Sequence, residues 1–339
     1  MSKKQHSSTK IHRLIPQLVP LLLLLLLGCS PASETPNDSA PGGTLSIVTT
    51  TGMIADMAQR IAGDLAEVEA LMGPGIDPHL YKASESDVRR LAEADLILYN
   101  GLYLEGKMGD ILVKLARSRP VVAVSESVPE SDRREPPELE GSYDPHIWFD
   151  VRLWSKTLDP IADAMADLLP DHADQLRANA EGLRAELLEL DAWVEGRIQE
   201  IPAQYRVMVT AHDAFGYFGQ RYGIEVLGIQ GISTLTEAGL QDVQRVVDLV
   251  VERRIPALFV ESSVPRRSVE AVQAACAEKG HTVGIGGELF SDAMGAAGTP
   301  EGTYVGMVRH NVDTLVAALA PSASTAQGGP ASESSGDAP

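Results

Sequence analysis

Between Pro170 and Pro202 the chain contains no proline, and Leu176, Ala180, Leu183, Leu187, Leu190, Val194 and Ile198 recur at steps of three and four. That spacing puts them on one face of an amphipathic helix. Proline at either end sets where such a helix begins and stops. The pattern predicts one long helix over 170–201, which any fold for this chain must accommodate near its middle.

On both sides of that helix the pattern alternates between short apolar runs and helical segments. Before it, 45–50, 68–71, 95–100 and 121–124 read as strands, with helices over 53–61 and 84–94. After it, 207–210, 226–229, 257–260 and 282–285 read as strands, with helices over 241–253 and 269–279. Short apolar strands joined by helical crossovers indicate parallel sheets. The expected fold class is α/β, with two lobes that each hold a mainly parallel four-stranded sheet flanked by helices, joined by one long rigid helix.

The N-terminus has a different character. Lys3, Lys4, Lys10 and Arg13 precede an apolar stretch that ends in seven consecutive leucines, Leu21 to Leu27, followed by Gly28 and Cys29. This is the layout of a secretory signal, too short and one-sided for a membrane-spanning helix. Its ending resembles a bacterial lipobox, in which the signal is cleaved before the cysteine, whose sulfur receives a diacylglycerol. The expected organisation is a signal peptide over 1–28, a lipidated Cys29 and flexible tether over 29–43, an N-terminal α/β lobe over 44–169 and a linker helix over 170–201. A C-terminal α/β lobe follows over 202–320, then a disordered tail over 321–339. The second of the two cysteines, Cys276, lies on an apolar helix face with Val269 and Val272 and reads as a buried, inert thiol. A net charge of −19 argues against non-specific binding to nucleic acid.

Ligands of parallel α/β sheets bind beyond the carboxyl ends of the strands. After the second strand comes Gly73-Pro74-Gly75-Ile76-Asp77-Pro78-His79, and after the fourth comes Asp144-Pro145-His146, so Asp-Pro-His occurs twice in the first lobe. Proline stiffens the backbone just before each imidazole. In the second lobe His212 ends a strand, and Gly286-Gly287-Glu288-Leu289-Phe290-Ser291-Asp292 follows the last one, where a glycine-rich loop is expected to deliver Asp292. Three imidazoles and a carboxylate, two donors from each lobe, suit a divalent metal: imidazole favours zinc, and the carboxylate adds affinity for harder ions such as manganese. An aspartate after glycines is also a common helix N-cap. Glu288 and Asp213 are candidates for hydrogen bonding behind the histidines. His172, His281 and His310 lack such loop context and read as surface or structural residues.

With these residues in view, the chain resembles the metal-specific solute-binding lipoproteins of ABC transporters, the cluster A-I or adhesin-like family, over nearly all of 44–320. The matching stretches are Asp77-Pro78-His79-Leu80-Tyr81, Ala94 to Gly101, Asp144-Pro145-His146-Ile147-Trp148, His212 to Phe218 and Gly287 to Ala293. The resemblance implies one Zn²⁺ or Mn²⁺ carried between two lobes, with ligands at His79, His146, His212 and Asp292. It also implies high-affinity capture outside the inner membrane and delivery to an ABC permease and its ATPase on separate chains. The protein would be exported and anchored by its lipid to the cell membrane, facing the periplasm or the cell exterior, as a monomer with no nucleic-acid partner. The acidic loop over 126–142 lacks the histidines that many zinc-specific members carry there, which places the chain nearer the treponemal three-His-one-Asp branch. No catalytic residue is expected. Two other readings remain open at this point: a metallohydrolase using Asp213 or Glu288 as base, and a receptor for a larger ligand such as haem, a siderophore or cobalamin.

Overall fold

The computed structural model describes residues 44–139 and 141–320. The expected signal peptide, lipidated Cys29 and tether over 1–43, and the expected tail over 321–339, lie outside the described residues.

The first half runs β1 (Leu45–Thr49), α1 (Gly52–Ala62), β2 (Ala66–Ala70), α2 (Glu85–Glu93), β3 (Leu96–Tyr99), α3 (Gly109–Leu115) and β4 (Val121–Ala123). The strands form one parallel sheet in the order β2-β1-β3-β4, with Ile47 of β1 opposite both Val68 and Leu96. Apolar side chains leave both faces of β1 and β3 and are buried, as strands covered on both sides require. Ser84 caps α2: its hydroxyl accepts from the Asp87 amide while the Asp87 carboxylate accepts from the Ser84 amide, a reciprocal capping box.

Two helices, α4 (Val151–Trp154) and α5 (Leu158–Leu168), lead through a 3-10 turn over Pro170–His172 into α6 (Ala173–Ile198), 26 residues long. Its buried apolar stripe consists of the seven positions the spacing predicts. Asp191 on the same face accepts from the Arg221 guanidinium and the Tyr222 hydroxyl. The stripe packs on α1, α5 and α10 (Tyr304–Leu319). One continuous apolar cluster therefore takes Ile54 and Met57 from the first half, the α6 stripe, and Met307, Val312 and Leu315 from the second. A shared core of this kind resists rigid-body separation of the halves, because opening would expose it to water.

The second half runs β5 (Val207–His212), α7 (Gly216–Tyr222), β6 (Glu225–Gln230), α8 (Leu240–Glu252), β7 (Ala257–Glu261), α9 (Arg267–Glu278), β8 (Gly284–Leu289) and α10. The four strands pair as β5-β6 and β7-β8, both parallel. β5 and β7 lie side by side, yet no ladder joins them among the described residues. At their carboxyl ends the His212 amide donates to the side chain of Glu261, which takes the place of a strand-to-strand bond.

Two local expectations change. The last strand reaches Leu289, so Gly286 and Gly287 belong to the strand and not to a loop. The glycines are needed because α10 crosses closely: a Cβ on Gly286 would meet Phe259 and Ala318 at 2.7 and 2.8 Å, and one on Gly287 would meet Thr314 at 2.5 Å. Helix α10 itself carries Val305, Gly306, Val308, Val312, Thr314 and Val316, residues that blur a helical signal, and it was not anticipated. Cys276 is fully buried and has no disulfide partner among the described residues. Among the described residues no helix is long and apolar enough to cross a membrane.

Candidate metal centre

The fold brings His79, His146, His212 and Asp292 together. One ligand atom from each lies within 4.8 Å of all the others, and all four residues are buried. The Nε2 atoms of His79, His146 and His212 face the Asp292 carboxylate at 3.7, 3.4 and 3.3 Å. The rings pack edge to face or tilted, with centroids 5.3 to 6.1 Å apart.

Each donor is held by its own local chemistry. In both Asp-Pro-His stretches the aspartate turns back on the histidine, so that the His79 amide donates to Asp77 at 2.8 Å and the His146 amide to Asp144 at 3.0 Å. Asp144 also lies 2.8 Å from Nδ1 of His146, and the Arg134 guanidinium balances its charge from the other side. Glu261, at the end of β7, takes the His212 amide through one oxygen and faces Nδ1 of His212 at 2.6 Å through the other. Two of the three imidazoles thus have a carboxylate behind them, which fixes the ring and leaves Nε2 directed inward. Asp292 lies three residues past β8 and does not cap a helix. Its neighbours are clamped: Trp148 donates its indole N–H to the Ser291 carbonyl, and Asn311 bonds both the amide and the carbonyl of Phe290. Deeper in the first half, Glu105 accepts from the Thr50 hydroxyl and the Asn100 and Gly101 amides, and Asn100 donates to the Pro145 carbonyl, tying the strand ends to the His146 stretch.

The electrostatics are those of opposed charges packed out of water. Burial pushes the His79 imidazole down to about 3. Burial also opposes charge on His146, but the Asp144 and Asp292 carboxylates outweigh it and push the imidazole up to about 9. His212 is likewise raised well above its ordinary value, Glu261 and Asp292 overcoming the cost of burial. Asp292 is held well below the usual carboxylate range because His212 and His146 outweigh its burial. Even so, among the described residues His212 Nε2 and both oxygens of Asp292 have no hydrogen-bond partner, although each is buried. Unpaired buried polar atoms are costly and uncommon. Three that face a common point, alongside two further imidazole nitrogens, could hold a divalent cation.

Glu288 is exposed on β8, and its carbonyl accepts from His310, so its side chain does not back a site histidine. Asp213 is half-buried next to His212, with its carboxyl raised by burial and by the charge of Asp144. The carboxylates that do back histidines, Asp144 and Glu261, were not assigned that role from sequence. The sequence contains a signal for Glu261, since it ends an apolar strand just as His212 does. His281 bonds the Ile255 carbonyl, and His172 is exposed.

An α/β fold of two halves around a long helix, with a buried three-histidine, one-aspartate centre between them, defines a metal-binding receptor. Residues 47–318 match the family described as the zinc-uptake complex component A, periplasmic, and the chain belongs to this family of metal-specific ABC-transporter solute-binding proteins. It is 52% identical over 283 residues to the zinc-binding protein TroA of Treponema pallidum, covering 84% of this chain and 91% of that protein. It is 50% identical over 276 residues to the manganese-binding lipoprotein MntA of Bacillus subtilis, covering 81% of this chain and 90% of that one. The solved structure of the periplasmic zinc-binding protein TroA superposes with a TM-score of 0.80, over 82% of this chain and all of that one.

Proposed function

We propose that this protein captures zinc or manganese outside the cell membrane at His79, His146, His212 and Asp292, and delivers it to an ABC permease and its ATPase. The observation that carries this reading is the convergence of the four buried donors on one point. The two similar proteins named for zinc and for manganese support the choice of ions. Imidazole and carboxylate together suit both. The N-terminal lobe over 44–169 and the C-terminal lobe over 202–320, joined by the linker helix over 170–201, supply two donors each. Lipid on Cys29 would keep the receptor, as a monomer, close to its permease; the lipoprotein naming of MntA supports an exported, anchored form. The family is one of transport receptors, and four buried protein donors around one ion leave a hydrolytic substrate no approach, so no catalytic step is proposed.

Calorimetric titration of the metal-free protein with zinc and manganese tests this reading. Tight one-to-one binding, accompanied by a rise in thermal midpoint and lost in His212→Ala, is expected. Stoichiometric binding indifferent to His212 would overturn the ligand set.

A further inference from the structure

The two Asp-Pro-His stretches are alike in sequence but held differently. The His146 stretch is embedded. Ile147, Trp148 and Phe149 are buried. The Asp144 carbonyl accepts from the Tyr217 hydroxyl at 3.1 Å, the Trp148 carbonyl from the Tyr304 hydroxyl at 2.6 Å, and the Trp148 indole donates to Ser291. All three partners belong to the second half, so His146 is fixed to both halves at once.

The His79 stretch lies at the rim. Gly73, Pro74 and Gly75 are exposed, as are Ile76 and Leu80 at 40% and 45%. Its main-chain bonds are local, Ile76 to Gly73 and Leu80 to Asp77. A crevice of about 350 Å³ separates Asp77 and Leu80 from Val264, Pro265 and Arg267 of the second half. Across it runs one side-chain bond, in which the Thr234 hydroxyl donates to Asp77 Oδ2 at 2.6 Å. The other oxygen of the same carboxylate accepts the His79 amide. Thr234 lies between β6 and α8, so a single carboxylate joins a donor of the first half to a loop of the second.

From this asymmetry we infer that Thr234 is a latch: its bond to Asp77 holds the His79 stretch against the second half, and the metal leaves when that stretch lifts. This inference rests on the proposed metal site. The shared core along α6 resists separation of the halves, His146 and His212 are held by several bonds, and Ser291 and Phe290 beside Asp292 are clamped, so the stretch held by one bond is the one that moves. Thr234 acts through Asp77 and is a positioning residue. Its loss should speed release far more than it slows capture, because capture begins at the three fixed donors.

The test is stopped-flow release of zinc from the full-length chain into excess chelator, for wild type, Thr234→Val and Thr234→Ser. Val keeps the shape and removes the donor. A release rate raised about tenfold in Val, with association nearly unchanged, and restored in Ser, is the expected result. Amide exchange of the zinc-loaded protein should rise over 76–80 in Val and stay constant over 146–149, which general loosening would not produce. A release rate altered by less than about twofold in Val, or exchange rising equally in both stretches, overturns the latch. His79→Ala separates the two readings. If it binds zinc as tightly as wild type, the site assignment fails. If it binds zinc far more weakly while Thr234→Val behaves as wild type, the latch alone fails.

Discussion

Replacing Glu261 by Gln isolates what a buried carboxylate behind a ligand contributes. Glu261 makes two contacts with one residue, 2.9 Å from the His212 amide and 2.6 Å from its Nδ1, and is 3% exposed. Gln preserves size and can still accept the amide, but it replaces a charge-assisted bond to the ring with a neutral one. A bond to a charged group contributes about 1.5–3 kcal/mol and a neutral one about 1 kcal/mol, so the difference is about 0.5–2 kcal/mol. The imidazole also becomes a weaker donor to the metal once the negative charge behind it is gone, and losses of outer partners commonly lower affinity about 10- to 100-fold. The expected result is a fall in zinc affinity of about 10- to 100-fold, measured by competition with a chelator of known strength, with the fold retained by circular dichroism. Glu261→Ala should be worse in both respects, because it leaves the His212 amide and ring nitrogen buried without this partner. Affinity within about twofold of wild type in a folded Gln variant would refute the reasoning, since it would mean that His212 is oriented by packing alone.

Gly286→Ala should destabilise the protein by about 1–3 kcal/mol in denaturant titration, because the added methyl meets Phe259, Ala318 and Ala257 at 2.7 to 3.0 Å where α10 crosses β8. Asp87→Asn should lose stability in a pH-dependent way. Burial raises the Asp87 carboxyl, but bonds from the Ser84 amide, the Tyr81 and Ser84 hydroxyls and Arg90 outweigh it and hold the group at about 2, below its ordinary 3.8. A lowered carboxyl contributes stability that is present above the ordinary value and lost as pH falls through the folded one. Wild type should therefore exceed the Asn variant by about 2 kcal/mol near neutrality, and the gap should close between about pH 4 and pH 2. A gap that persists unchanged at pH 2 would contradict this origin.

Much of the molecule was legible before any coordinates, because it rests on local rules. Period and proline placement marked α6 and its buried stripe. Short apolar runs marked eight strands to within a few residues, and the search at strand ends found the four residues that converge. Boundaries erred where packing overrides propensity. Gly286 and Gly287 resemble loop residues in sequence, yet they sit in β8 because α10 leaves no space for a Cβ. The β-branched residues of α10 are held in a helix by the core they fill.

What the sequence determined by itself was therefore the long helix, the eight strands and the donors presented at their ends, since these depend on the order of side chains along a few turns or one strand. Tertiary structure decided how those donors are supported. Glu261 stands behind His212 only because β7 lies beside β5, and Glu288 faces outward only because of its place in β8. The twin Asp-Pro-His stretches differ in what the second half places against them, Tyr217, Ser291 and Tyr304 on one and Thr234 on the other. Contacts between residues far apart in the chain depend on how whole elements pack, and no short stretch of sequence carries that information.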